Sequence, residues 1–334
     1  MVRLAVLVLW FQFALTAAKT LDIHFIDVEG GQATLIVSPG GESLLVDTGW
    51  PGFQGRDADR IVKTAKKAGV KKIDHLLITH FHTDHVGGIT QLMERFPVTN
   101  IIYHGKNTEQ GKGPADLQEA LDKALTKTKS LIVKPGDTIP FAKGVDIKVL
   151  SSRGELIGAP LPGAGQANQY CAGQVEKGED KTENGKSIGF LLTFGKFKFL
   201  DLADLTWNLE TTLMCPVNKI GTVDLYLSDH HGLNQSNPPA LVHGIAPRVI
   251  VMNNGAKKGS DKEAWQLMKS TPGLADFYQM HYAVNGGQTH NVDQAFLANL
   301  ETPGGNNIKV SAETSGAFRV SNLRNRFEKA YGPR

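Results

Sequence analysis

Thr79-His80-Phe81-His82-Thr83-Asp84-His85-Val86-Gly87-Gly88 decides the reading of this chain. A β-rich run over residues 73–79 leads into it, and helical spacing over 86–96, ended by Pro97, leads out. In extended backbone, residues two apart project the same way, so His80 and His82 can reach one ion together. Asp84 and His85, adjacent at the helix start, can face a second. Three imidazoles and a carboxylate suit Zn, with Mn and Fe as alternatives. A single loop histidine is most often a surface residue. Three, with an aspartate, packed between a strand and a helix, point to metal. A catalytic site keeps a position open for water, and two ions about 3.5–4 Å apart can hold one hydroxide between them.

Upstream, residues 21–28 alternate, with Leu21, Ile23 and Phe25 on one face of a strand. Residues 33–37 and 43–46 form a hairpin around Pro39-Gly40-Gly41, and 57–68 form a helix stopped by Gly69. Downstream come a strand (101–103), a helix (115–125) and two strands within 137–150. Residues 152–186, rich in Gly, Pro, Asn, Gln and charge, read as a long loop of the kind that shapes a cleft. Strands follow at 188–194 and 197–202, then a helix (206–214), a strand (223–228), a helix (238–244), a strand (248–252) and a helix (262–269). Hairpins followed by βα alternation in each half predict mixed sheets between helix layers. The tail, 321–334, is basic and reads as a loose surface helix.

Composition agrees with a layered globular chain. Of 334 residues, 41% are hydrophobic and 21% charged, which excludes a disordered chain or a coiled coil. The 36 glycines and the 7% aromatic content favour turns on a sheet framework. A net charge of +3 is too small to imply a nucleic-acid coat. Two cysteines, Cys171 and Cys215, exclude a disulfide scaffold or a Cys-rich zinc module; a single bond between them and two free buried thiols both stay open. Met1-Val2-Arg3, an apolar stretch over 4–15 and Thr16-Ala17-Ala18 read as a secretory signal cleaved after Ala18. The stretch is shorter than the roughly 20 residues of a comfortable span, so no stable membrane anchor is expected. The expected organisation is a signal peptide (1–18), one domain (19–320) and the basic tail (321–334), secreted or periplasmic.

The H-x-H-x-D-H stretch resembles that of the metallo-β-lactamase-fold hydrolases. Leu44-Leu45-Val46-Asp47-Thr48-Gly49 is similar to that family's strand-D-T-G element, whose aspartate supports the metal loop from behind. Phe199-Leu200-Asp201-Leu202-Ala203-Asp204-Leu205 resembles the strand that ends in a metal-bridging aspartate. Asp204 is the assigned bridge and Asp201 the competitor. Ser228-Asp229-His230-His231-Gly232 resembles the His-His-Gly of the branch containing the hydrolase domain of the DNA-uptake protein ComEC, a similarity covering most of residues 21–300.

The resemblance implies a four-layer αββα sandwich of two mixed β-sheets and two divalent metal ions. One ion would take His80 and His82, the other Asp84, His85 and His230, with Asp204 bridging. Asp84 and His231 would be catalytic, Asp84 by holding the hydroxide and His231 by donating to developing charge, with His230 and His231 interchangeable. Many members carry a further histidine in a G-H-T turn. The corresponding Glu183-Asn184-Gly185-Lys186-Ser187 has none, so the first site is expected to be weak or to borrow a ligand such as His104. The implied activity is an exported metallo-hydrolase using a metal-activated hydroxide on a phosphodiester, in a small molecule or in nucleic acid. The rivals are a carbonyl hydrolase acting on a lactam, lactone or thioester, and a binding protein that keeps metal without turnover. Of the remaining histidines, His24 and His75 read as outward-facing or packed strand residues, and His281 and His290 flank a Gly-rich turn at the site's edge. Lys257-Lys258 reads as a solvated face.

Overall fold

The computed structural model describes residues 20–334. The predicted signal segment lies outside the described residues. The first sheet is built from β1 (Leu21–Phe25), β2 (Thr34–Val37), β3 (Ser43–Val46), β4 (Ile73–Leu77), β5 (Val98–Tyr103) and β6 (Lys129–Ile132). The second contains β7 (Val145–Ser152), β8 (Glu155–Leu156), β9 (Gly189–Phe194), β10 (Phe197–Asp201), β11 (Leu225–Leu227), β12 (Val249–Met252), β13 (Asp276–His281) and β14 (Leu297–Asn299). The chain then returns to the first sheet as β15 (Ile308–Ala312), β16 (Phe318–Asn322) and β17 (Phe327–Tyr331). The first sheet runs β17-β16-β15-β1-β2-β3-β4-β5-β6 and the second β14-β13-β12-β11-β10-β9-β7-β8. Both are mixed: β3 to β6 are parallel and β10 to β14 are parallel, with antiparallel hairpins beside them.

Alternation places the core. Leu21, Ile23 and Phe25 point between the sheets and meet Phe190, Phe199 and Val251, so the inner faces of both sheets share one apolar layer. The outer face of the first sheet is covered by α1 (Arg56–Lys67), α2 (Thr83–Val86), α3 (Ile89–Arg95) and α4 (Lys112–Leu125). The outer face of the second is covered by α5 (Trp207–Met214), α6 (Pro239–Val242) and α7 (Lys262–Lys269). This is the expected four-layer αββα arrangement.

Three local expectations change. The helix expected over 86–96 is split, because Gly87-Gly88 separates α2 from α3. A Cβ at Gly88 would collide with the Thr48 carbonyl, so the loop behind β3 can approach the metal-loop helix only at a glycine. Residues 137–150 supply one strand, β7, and an isolated bridge between Thr138 and Lys148, not two strands. The 321–334 tail is no surface helix. It belongs to the β16–β17 hairpin, and the expected domain limit at residue 320 falls inside β16. Phe318, Val320 and Asn322 point inward and Arg319 outward, a period of two that the basic composition masks. Between β8 and β9, residues 157–188 are a long connection, pinned by a disulfide between Cys171 and Cys215.

Candidate metal centre

The candidate ligands sit where strands of the two sheets end. Asp47 follows β3 with a left-handed φ of 60°. Its Oδ1 accepts the Thr79 amide at 2.9 Å, and its Oδ2 accepts the Thr79 hydroxyl at 2.7 Å. The same Oδ2 lies 2.7 Å from His85 Nδ1. One carboxylate therefore ties the loop after β4 to its own strand and turns His85 Nε2 toward the ligand cluster. Asp47→Ala would leave His85 free to rotate; metal affinity is expected to fall about 10–100-fold, read by competition with a chromogenic chelator.

Asp204 lies beyond β10, after a left-handed Ala203 with φ 54°. That turn separates the two competing aspartates. Asp201 accepts Gln32 Nε2 and the Ala203 amide, both at 2.9 Å, and burial pushes its carboxyl up to about 7. Asp204 Oδ2 stands 3.3 Å from His85 Nε2, 3.5 Å from His231 Nε2 and 3.9 Å from His80 Nε2. Among the described residues, two groups have geometry to hold an ion: His80, His82 and Asp204; and Asp84, His85, His231 and Asp204. Asp204 is common to both.

The second group contains His231, where the ligand assigned from sequence was His230. Both residues take left-handed φ values, 51° and 55°, which cost on the order of 1–3 kcal/mol each in a non-glycine residue. Asn237 holds this turn: its Nδ2 donates to Asp229 O at 2.9 Å, while its amide donates to Glu210 Oε2 at 2.8 Å. The bend aims His231 Nε2 at Asp84 Oδ2, 3.1 Å away. His230 Nε2 sits 3.6 Å from Asp204 Oδ2 and 3.5 Å from Asn184 Nδ2, beside the turn that lacks the G-H-T histidine.

The donor set fits metal. His85 Nε2, both ring nitrogens of His231, Asp204 Oδ1 and Asn184 Oδ1 are buried and lack hydrogen-bond partners. Buried polar atoms are rarely left so unless an ion or water belongs between them. Burial opposes charge on Asp84 and Asp204, but His85 and His231 outweigh it and hold both carboxyls well below the usual range. Burial also opposes charge on His85, yet Asp204, Asp84 and Asp47 raise it well above an ordinary histidine. Burial and His85 push His80 well down. Without an ion, a proton is thus drawn to a centre built around carboxylates, the place a divalent cation would take.

Sequence reasoning missed the outer supports. His82 turns Nδ1 toward His80 Nε2 at 3.1 Å, and its Nε2 meets Glu109 Oε1 at 3.3 Å. Glu109 also accepts the Glu183 amide at 2.9 Å. His104 is no ligand here: it pairs with Glu183 at 2.8 Å. Burial opposes the Glu183 charge, but His104 and Thr108 bring its carboxyl down to about 2, and it accepts the Phe81 amide at 3.2 Å. His281 is held by Asp27 at 2.7 Å and His290 by Gln266 at 2.8 Å, neither within the ligand groups. Lys258 is not a solvated face. Its Nζ contacts Asp84 Oδ2 and lies 5.0 Å from the Trp50 ring centroid.

Comparison with known proteins places these observations. Lactamase-like protein notP of Aspergillus sp. (strain MF297-2) is 40% identical over 76 residues, a match covering 22% of this chain and 22% of that protein. The chain therefore spans about a fifth of that curated relative's length. Among solved structures, CmlA, a diiron beta-hydroxylase from Streptomyces venezuelae, is similar with a TM-score of 0.43 and 19% identity, over 72% of this chain and 46% of that one. Zinc-bound PqqB from Methylobacterium extorquens gives a TM-score of 0.41 and 14% identity, over 68% and 77%. The family described as the Metallo-beta-lactamase superfamily matches residues 26–182. That segment carries Asp47 and the whole histidine loop between the first sheet and its helices, so over it this chain is similar to the metallo-beta-lactamase superfamily.

Proposed function

We propose that the protein is an exported metallo-hydrolase that cleaves phosphodiesters, in a small molecule or in nucleic acid. The observation that carries this reading is Lys258. Its ammonium lies against Asp84 at the mouth of the cluster, with its side chain 32% exposed and Trp50 beside it. A cation facing both the ligands and solvent suits an electrophile that arrives negatively charged, as a phosphodiester does and a lactam carbonyl does not. The likeness of the His-His-Gly stretch to the ComEC branch supports the same substrate class.

His80 and His82 would hold one divalent ion, and Asp84, His85 and His231 the other, with Asp204 shared; Zn, Mn and Fe all suit these donors. When bound, such ions supply Lewis acidity and bring the pKa of water toward neutrality. Asp47 and Glu109 orient the imidazoles of His85 and His82. Asp84, whose Oδ2 faces His85 and His231, would align the attacking water. His230, with Nδ1 3.3 Å from Ser236 Oγ and Nε2 facing Asn184 Nδ2, takes the place beside the ligand groups that the sequence gave to His231. The Cys171–Cys215 bond supports an oxidising compartment, in keeping with the basic and apolar N-terminal segment.

The test is a metal-reconstituted comparison of bis(p-nitrophenyl) phosphate with a chromogenic lactam. Turnover of the phosphodiester alone is expected. Lys258→Ala should lower its kcat/KM about 10–100-fold, the loss expected from one charge-assisted contact of about 1.5–3 kcal/mol. Preferred turnover of the lactam, or an unchanged constant in Lys258→Ala, would sink the reading.

A further inference from the structure

A cavity lies on the outer face of the first sheet. Where α1 leaves the sheet, β1, β15 and the loop of residues 304–307 enclose a cavity of about 690 Å³, within the range of small-molecule pockets. None of the metal-centre residues lines it. Four cations do: Arg60, Lys63 and Lys67 from α1, and Lys309 from β15, against one carboxylate, Asp22. Arg60, Lys63 and Lys67 stand at i, i+3 and i+7, on one helix face over about 10 Å. Arg60 is engaged by Asp27 and Glu29, and Lys309 by Asp22. Among the described residues, Lys63 and Lys67 make no ion pair, and both are exposed along the cavity rim.

The floor holds the second observation. His24 sits on β1 directly opposite Lys309 and is only 7% exposed, yet neither ring nitrogen has a hydrogen-bond partner. It lines the cavity. Burial and the neighbouring Lys309 push it down to about 4, so at neutral pH it is uncharged and offers one N–H and one lone pair. A buried histidine with both ring atoms unused is a binding group without its partner.

We infer that this cavity binds a small molecule carrying two phosphate groups. One phosphate would lie between Lys63 and Lys67, the other would reach toward Lys309, and the body between them would meet His24. Cations on two separate elements, Lys63 and Lys67 on α1 and Lys309 on β15, select a ligand with two anionic groups, and phosphate over a single carboxylate. The site stands apart from the metal centre and does not rest on the phosphodiesterase reading.

Fructose 1,6-bisphosphate serves as the probe, titrated into the metal-loaded full chain while the His24 ring signals, assigned with His24→Gln, are followed by NMR. The His24 signals should move to saturation. Affinity should fall at least tenfold in Lys63→Glu/Lys67→Glu and clearly in Lys63→Gln/Lys67→Gln. Both positions are exposed, so folding is expected to survive, checked by circular dichroism. Binding of the probe at the metal centre would leave His24 still and would be the same in these variants. A motionless His24, or unchanged affinity in both double variants, would overturn the site. Tricarballylate, a tricarboxylate, should bind at least tenfold more weakly; equal binding would overturn the assignment to phosphate.

Discussion

Asp204→Ala should yield a folded protein with less than one tightly held transition-metal ion and, under the proposed function, a phosphodiester turnover down about 10³-fold or more. Asp204 is the one side chain shared by both candidate ligand groups, and its Oδ2 faces His80, His85, His230 and His231 together. Its loss removes a ligand from each site at once. A metal ion typically supplies several kcal/mol of transition-state stabilisation, and each ~1.4 kcal/mol is tenfold in rate, which sets the scale. Asp204→Asn keeps the shape and removes the charge, so it separates ligation from packing. Elemental analysis and kcat/KM are the two readouts. Retention of two ions with near-native turnover by Asp204→Ala would remove Asp204 from the bridging position, and with it the division of ligands between two sites.

The second large effect concerns the long connection. Opening the Cys171–Cys215 bond, by reductant or as Cys171→Ser/Cys215→Ser, should cost roughly 2–4 kcal/mol of stability. The bond closes a sequence separation of 44 residues, between the lengths for which chain entropy gives about 3 and about 4.7 kcal/mol. At roughly 2–4 °C per kcal/mol, the thermal midpoint should drop on the order of 5–10 °C. The connection carries Asn184, which stands against His230, and Ser187, whose Oγ is 3.4 Å from His80 Nδ1. Metal affinity should therefore weaken along with stability. An unchanged midpoint would mean that the loop holds its place without the bond, through contacts such as the pair of Asn168 Nδ2 bonds to Met214 O and Ala240 O.

How much of this was legible in the sequence follows from distance along the chain. The His80–His85 loop could be read because one strand-to-helix junction supplies all four side chains, and two short periodicities fix their directions. Asp47 was legible through the D-T-G stretch, and the two mixed sheets through hairpins followed by βα alternation. The choice between Asp201 and Asp204 was open because both leave the same strand; a left-handed Ala203 decides it, and alanine carries no sign of that conformation. His230 and His231 were interchangeable for the same reason, since two consecutive left-handed residues defeat any alternation argument. Glu109 and Glu183 escaped notice because they act on the histidine loop from another part of the chain, and no spacing rule connects them. Lys258 looked like surface charge because it follows Lys257 among small residues, whereas its neighbour in space is Asp84.

The return of β15 to β1 bears on how such a protein is made. Leu21 pairs with Ala312, so the first sheet joins two strands about 290 residues apart in the sequence. During synthesis from the N-terminus, β1 and β2 can form their hairpin early, but one edge of β1 stays bare until the second sheet has been built. An unpaired, apolar edge is a template for pairing with other chains. Pairings this distant also close slowly, because the loop entropy is lost before the contact is gained. The growing chain thus keeps an aggregation-prone edge on β1 until β15 is in place.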